Sequence, residues 1–305
     1  MQKQVRNSVL VTGAEGFLGR AFLRLLERSD QRVISLDSIQ PAVTEERSTT
    51  TKIRCDITNQ QHLEKVFRDY EIGTIVHLAA ILPTAAQRDP VRATRVNVVG
   101  SVNLLELARQ FGVARFVFGS SLSIYGSCSP DHFVSESDRA APEDVYGAAK
   151  LYVERLGQAF TGSGTLQFVS LRIGRIVGPG ARSTTSAWRS AIFDLLQTGH
   201  PTHLTLPYVG SERVLLLHVQ DAAGALMTLL LAPRPAHSIY NAPCESWLVN
   251  DLKLQLESLN PSIRIALGDA YAKGNPRLLD WSRFKNEFAF STTPISDRLQ
   301  ATAAT

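Results

Sequence analysis

Short apolar runs alternate with amphipathic stretches through the first half of this chain, and that alternation limits the fold more than any other feature. Runs rich in β-branched residues occur at 8–11, 32–36, 53–57, 74–78 and 115–118. Helical periodicity fills 17–28, 60–69 and 91–111, and a further helix from about 146 to 160 precedes a sixth strand at 166–173. Strands that are apolar throughout are buried on both faces, and helices of this length join them in parallel. The expected class is α/β, with a parallel sheet wound by helices on both sides.

The rhythm changes after "IVGPGARSTTS". A helix is expected at 186–198. "RVLLLHVQDAAGALMTLLLA" then reads as a strand followed by a helix, and 249 to about 288 mixes a helix, a short strand and polar turns. "TEERSTTT" and the terminal "ATAAT" are expected to be mobile. The chain of 305 residues suits a main domain with a smaller companion. The expected boundaries are 1–173 with 218–242 for the main domain, and 174–217 with 243–305 for the companion.

Composition removes several function classes. Net charge is +4 with no dense basic run, so no nucleic-acid partner is expected. Cys55, Cys128 and Cys244 are widely spaced, outside any CxxC or Cys/His cluster, so no metal is expected and a reducing setting is the simplest reading. No apolar run approaches the ~20 residues of a membrane span, and the N-terminus has no signal-peptide h-region. A cytoplasmic protein acting on a small molecule is expected.

"VLVTGAEGFLGR" places Gly13, Gly16 and Gly19 between the first strand and the first helix. In that context Gly13 allows a tight turn, Gly16 admits a pyrophosphate close to the backbone, and Gly19 lets the helix pack on the sheet. Glu15, Phe17 and Leu18 supply the rest of the turn and the first helical amides. Asp37 ends the second strand near the ~20-residue spacing of an acid that bonds the adenosine ribose hydroxyls. Its charge would repel a 2′-phosphate, and Ser38 and Ile39 offer no compensating cation, so NAD is preferred to NADP. In "RCDIT", Asp56 and Ile57 are placed at the adenine. Leu78, Ala79 and Ala80 of "VHLAA" leave room for ribose and phosphates, while His77 reads as a packed histidine.

"VYGAAK" puts Tyr146 and Lys150 on one helix face, behind a strand ending in Ser120 and Ser121. A free phenol, with a pKa near ~10, is a poor base at neutral pH. A nearby ammonium and a positive nicotinamide would lower that value. Lys150 could also hold the nicotinamide ribose, while Ser121 polarises the substrate oxygen. Thr84, Ser123, Arg175 and Arg182 are further candidates for touching substrate. Arg213 could also anchor an anion. Trp188 and Trp247 read as packing aromatics.

These segments resemble the extended short-chain dehydrogenases/reductases, the NAD-dependent epimerase/dehydratase family. The resemblance rests on "TGAEGFLG", Asp56, "HLAA", "NVVGSVNLLELA", "SSLSIYG", "VYGAAK" and "LRIGRIVGPG" and runs from about 8 to 288. It implies a Rossmann-type doubly wound sheet with a small, mostly C-terminal substrate-binding part. It also implies that Asn97 steadies the active-site backbone, Ser121 is the catalytic hydroxyl, Tyr146 the general acid/base and Lys150 its partner. Gly178 and Pro179 would lie near the nicotinamide. A homodimer is implied, paired through the apolar faces of 91–111 and 146–160.

Departures from the family pattern narrow the activity. Dehydratases carry an Asp-Glu pair after the catalytic hydroxyl, where this chain has Leu122 and Ser123. Nucleotide-sugar epimerases have an Asn where Arg175 stands, and an Arg-Asp-Phe before the late strand that is absent here. The expected function is NAD-dependent oxidation of a secondary alcohol on a small sugar, sugar acid or hydroxy acid, with Tyr146 as base. The alternatives are an epimerase that retains its cofactor and a non-catalytic NAD-sensing protein. The intact Ser121, Tyr146 and Lys150 argue against the sensor.

Overall fold

The computed structural model describes residues 8–40, 49–162, 164, 166–180, 187–197 and 202–304. A seven-stranded parallel sheet organises it. Its strands are β1 (Ser8–Thr12), β2 (Arg32–Asp37), β3 (Thr50–Arg54), β4 (Ile72–His77), β5 (Arg115–Ser121), β7 (Gln167–Ile173) and β11 (Ile239–Asn241). The order across the sheet is β11-β7-β5-β4-β1-β2-β3. Between β5 and β7 lies the two-residue β6 (Phe133–Val134).

Side chains alternate between two cores because both faces are covered. In β1, Val9 and Val11 join α1 (Phe17–Leu26) and α8 (Val219–Leu231) on one face. Leu10 joins Leu63 and Phe67 of α2 (Gln60–Asp69), Leu104 and Leu105 of α5 (Ser101–Gln110), and Phe116, Phe118 and Phe168 on the other. The doubly wound Rossmann-type sheet expected from the alternation is present.

Local departures have local causes. The third strand is Thr50–Arg54 rather than 53–57, because pairing with β2 ends at Asp37↔Arg54 and Asp56 turns the chain into α2. Within "TEERSTTT", Thr50 and Thr51 therefore belong to a strand, while 44–48 lie outside the described residues. The expected helix 91–111 is interrupted. After α3 (Pro83–Arg88) come α4 (Pro90–Thr94), a π-helical turn (Arg95–Gly100) and then α5. Of the "ATAAT" tail, Ala301, Thr302 and Ala303 belong to α11 (Ile295–Ala303), where Leu299 is fully buried, and residue 305 lies outside the described residues.

The later chain builds a separate core. β8 (Arg175–Val177), β10 (Arg213–His218) and β12 (Glu245–Leu248) form one small sheet, while β9 (Thr202–Tyr208) pairs with β13 (Ile263–Ala270). Around them Trp188, Ile192 and Phe193 of α7 (Trp188–Asp194), Leu252 and Leu256 of α9 (Val249–Leu259) and Leu299 close a third apolar cluster. The helix expected at 186–198 is α7 followed by a 3-10 turn at Leu195–Gln197, its expected ends lying outside the described residues. The last elements are β14 (Leu278–Leu279), paired with β6, and α10 (Ser282–Phe288). Arg298 of α11 holds Asp221 of α8 at 2.7 Å, tying this part back to the main sheet.

Candidate active site

All main-sheet strands run parallel, so the ends of β1, β2, β4 and β5 open onto one edge, where ligands of such sheets bind. Gly13 follows β1 at φ +70°, and a Cβ there would stand 2.5 Å from the Ala79 nitrogen. Gly16 caps α1 without a side chain, and Gly19 lies too close to the Gly13 and Ala14 carbonyls for a Cβ. The turn is thus a cradle only glycine can line, beneath the amides of a helix start. Phe17 and Leu18 turn partly inward onto the core.

Asp37 closes the second strand beside this turn. Its carboxylate accepts from Glu15 N at 2.9 Å and from Ile39 N at 3.1 Å. One cation that sequence reading overlooked stands there: Arg54, across from Asp37 on β3, donates to Ser38 O. Asp56 accepts from the amide and hydroxyl of Thr58, and Asn103 holds Ile57 by donating to its carbonyl at 3.0 Å. Asn103 lies inside "NVVGSVNLLELA", but spacing alone does not show what it holds.

A buried hydrogen-bond chain links these loops to the π-helical turn. Asn97 clamps Ile81, accepting from its amide at 2.7 Å and donating to its carbonyl at 2.9 Å. The Asn97 carbonyl accepts from Ser101 Oγ at 2.7 Å. With that proton committed, Ser101 accepts from His77 Nε2 (2.8 Å), so Nδ1 accepts from the Thr12 hydroxyl (2.6 Å). Thr12 in turn accepts from Ala79 N at 3.4 Å. Burial pushes His77 down to about 3, so it serves this chain as a neutral imidazole. Leu78, Ala79 and Ala80 are only partly buried along it, and Ala80 packs against the Tyr146 cluster.

The groups expected to react converge at the end of β5. Ser121 caps the 3-10 turn Leu122–Ile124, accepting from Ser123 N, and its Oγ lies 3.1 Å from Ser123 Oγ. Ser120 Oγ is buried without a hydrogen-bond partner. On α6 (Val145–Gly162), Asp144 caps the first turn through Gly147 N. A Cβ on Gly147 would stand 2.5 Å from Ser123 O, so glycine is what lets α6 approach the serine turn. Tyr146 is buried against Ala80, Ile81, Ala86 and Ala93, and Ser121 is near enough to act on its phenol. Lys150 Nζ donates to Gly119 O at 2.7 Å, lies 4.6 Å from the Phe118 ring centroid and 5.6 Å from that of Tyr146.

Electrostatics in the protein differ from the expected lowering of Tyr146. Burial pushes the phenol up to about 12, Asp144 adds to this, and Ser121 and Arg189 oppose it. Lys150 is itself lowered to about 7 by burial, against the raising effect of Glu154. The expected lowering counted Lys150 as an ammonium and a positive nicotinamide beside the phenol, whereas in the protein alone burial of both side chains dominates.

The remaining candidates divide. Ser123 joins Ser121 directly. Thr84 is exposed on α3, and it is the buried Ala86 of that helix that packs with Tyr146. Arg175 stands over Tyr208, with Cζ 5.7 Å from the ring centroid. Arg182 lies outside the described residues. Arg213 lines a separate cleft of about 450 Å³ with Glu212, Tyr271 and Arg277. Gly178, at φ +140°, is held by α7: its amide donates to Arg189 O at 3.2 Å and its carbonyl accepts from Ser190 Oγ at 2.7 Å. Sequence reading missed Arg189, which sits in an ordinary helix outside every motif.

Glycine cradle, strand-end acid and buried Ser–Tyr–Lys set on one edge of a doubly wound sheet define an enzyme of the extended short-chain dehydrogenase/reductase class. A model of the NAD dependent epimerase/dehydratase family matches residues 9–242, and the chain belongs to that family. It is 33% identical to a UDP-glucose 4-epimerase of Erwinia amylovora over 159 residues, 49% of this chain and 47% of the relative. With a D-erythronate dehydrogenase of Haemophilus influenzae it shares 29% identity over 181 residues, 56% of each. The alignments thus span about half the length of these curated relatives. Among solved structures, the holo form of a GalE-like L-threonine dehydrogenase from Cupriavidus necator superposes with a TM-score of 0.87. That match has 24% identity and covers 97% of this chain and 99% of that one.

The cofactor named by the family fits the residues present. Without side chains, Gly13 packs against the Ala79 backbone and Gly19 against the Gly13 and Ala14 carbonyls, a close turn that sets the first amides of α1 where a pyrophosphate would lie, and the orphaned Ser120 hydroxyl marks a polar wall.

Proposed function

We propose that this enzyme is an NAD-dependent dehydrogenase that oxidises a secondary alcohol on a small hydroxy compound free of a nucleotide. The observation that carries this reading is the convergence of Ser121, Tyr146 and Lys150 where no acid follows the serine, Leu122 being fully buried there. Gly13, Glu15, Gly16, Phe17, Leu18 and Gly19 hold the pyrophosphate, and Asp37 the adenosine ribose. Asp56 and Ile57 face the adenine, while Leu78, Ala79, Ala80, Asn97 and Ser120 line the remainder. When bound, NAD supplies a hydride acceptor and a positive charge.

Tyr146, as phenolate, accepts the proton of the substrate hydroxyl while the carbon-bound hydrogen leaves as hydride, so an alcohol becomes a ketone. Ser121 and Ser123 hold the oxygen as the carbonyl forms. Lys150 orients the site through Gly119 O and adds positive charge in its protonated fraction. Asn97 fixes the Ile81 backbone that walls in Tyr146.

A nucleotide-sugar substrate is disfavoured by the second cleft. Arg277 there gives its Nε and one terminal nitrogen to the buried Glu212 carboxylate, the Nε at 2.6 Å, which neutralises its charge and weakens it as a diphosphate anchor. The substrate-binding part is taken as 174–217 with 243–305. A homodimer is inferred through α4, the π-helical turn and α6, where Val91, Val99 and Tyr152 are exposed apolar residues. A reducing cytoplasm suits the three cysteines, all free thiols. Among the described residues no helix is long and apolar enough to cross a membrane.

The deciding experiment follows absorbance of NADH with excess NAD and a panel of sugars, sugar acids and hydroxy amino acids. Stoichiometric NADH is the expected result. Inversion of a sugar centre without net NADH would establish the epimerase instead.

A further inference from the structure

Arg189 stands within electrostatic reach of Tyr146, and Arg175 stands within reach of Arg189, with no carboxylate paired to either. Arg189, on α7, has its Nε buried and without a hydrogen-bond partner. Its Cζ lies 5.9 Å from the Trp188 ring centroid, and its charge acts on Tyr146, Tyr208 and Arg175. Arg175 projects from β8 onto the same Tyr208 ring. The arginine ion pairs among the described residues use Arg68, Arg172, Arg277, Arg283 and Arg298, and neither of these two.

Such an arrangement is costly unless something completes it. Burial and repulsion from Arg175 together pull Arg189 down to about 10. A half-buried cation with no carboxylate beside it and a buried, orphaned Nε both cost stability until an anion arrives. The position is nonetheless held firmly. The Arg189 carbonyl and the Ser190 hydroxyl both bind Gly178, so α7 is tied to the loop that leaves β8. Both guanidiniums are therefore carried on one braced frame, with Arg189 within electrostatic reach of the proton-transfer residue.

We propose that Arg189, with Arg175 in support, anchors a carboxylate on the substrate, so that the enzyme oxidises hydroxy acids and rejects their neutral counterparts. The unpartnered Nε edge of a guanidinium offers two parallel N–H groups that match the two oxygens of a carboxylate. This inference rests on Tyr146 acting as the base for a secondary alcohol, and it adds what the rest of that molecule must carry. The serines hold the reacting oxygen, while the arginines fix the acid group and thereby the orientation of the carbon that gives up hydride.

The test has a binding arm and a turnover arm. Malonate is titrated calorimetrically into the NADH-loaded enzyme, with malonamide as its neutral counterpart and inorganic phosphate as a competitor. Wild type is expected to bind malonate and not malonamide. Arg189→Met should weaken binding by roughly tenfold to a hundredfold, and Arg189→Lys by less. A thermal melt of each variant confirms that it is folded. The proposal is overturned if malonate fails to bind wild type, binds Arg189→Met equally, or is matched by malonamide or outcompeted by phosphate.

In the turnover arm, D-glucuronate is paired with D-glucose, D-erythronate with erythritol, and L-threonine with L-threoninol. At least one acid should be oxidised in preference to its partner, and Arg189→Met should raise KM more than it lowers kcat. Equal oxidation of acid and neutral members also overturns the proposal. If no member is oxidised while malonate binding still depends on Arg189, the dehydrogenase reading falls and the anion site stands.

Discussion

The Tyr146 phenol, enclosed by Ala80, Ile81, Ala86 and Ala93, is raised to about 12 by burial and by Asp144, and drawn down by Ser121 and Arg189. Oxidation needs the deprotonated phenol, so kcat/KM should rise with pH along a limb set by Tyr146. Asp144→Asn removes a charge that raises the phenol pKa and should move that limb to lower pH, whereas Ser121→Ala should move it higher. Tyr146→Phe should lower kcat by about a hundredfold or more. A pH–rate series on the four proteins checks both the assignment and its electrostatics, and a limb unmoved by Asp144→Asn would refute them. At the other end of the site, the proposed role of Asp37 is to keep out a 2′-phosphate, although Arg54 stands next to it. Asp37→Asn should therefore raise the ratio of kcat/KM for NADP over NAD by roughly tenfold, about 1.4 kcal/mol of discrimination. Steady-state kinetics with both cofactors measures it.

Elements are joined behind the site by a buried polar knot. Glu154, one turn beyond Lys150 on α6, pairs with Arg172 of β7 at 2.8 Å, and both are almost fully buried. Arg172 also donates to the Tyr125 hydroxyl, which donates to Asn241 of β11. One helix and two strands are thereby locked in register next to the catalytic residues. Removing one partner leaves a buried charge unpaired, so Arg172→Met should cost about 3–5 kcal/mol in urea unfolding. Adding Glu154→Leu should restore much of that loss, because the two charges are then removed together. A double variant as unstable as Arg172→Met would show that packing, not the unpaired charge, sets the cost. The π-helical turn is the second element-level device. It brings Asn97 to Ile81 and leaves the Asn97 carbonyl to Ser101, an arrangement that helical periodicity across 91–111 does not reveal.

At the scale of the whole molecule, the face formed by α4, the π-helical turn and α6 leaves Val91, Val99 and Tyr152 exposed. Burying this face against a second copy would remove apolar surface from water, the main driving force for association. Light scattering should give a dimer for wild type and a monomer for the Val99→Glu, Tyr152→Glu double variant, and a monomeric wild type would refute the pairing. Much of this architecture is legible in the chain itself. Apolar strands spaced by amphipathic helices dictate a parallel sheet, since both faces must be covered. Glycines at a strand end dictate a close backbone approach, and Tyr146 with Lys150 share a face because a helix turns every ~3.6 residues. These are local rules, and periodicity carries them. Other properties depend on residues distant in sequence and were decided only by tertiary packing. Arg189 comes within electrostatic reach of Arg175 and Tyr146, Arg277 pairs with Glu212, and Arg54 lies beside Asp37. Burial, which exists only once the chain has folded, raises the phenol and lowers the lysine that the motif alone pairs as base and cation.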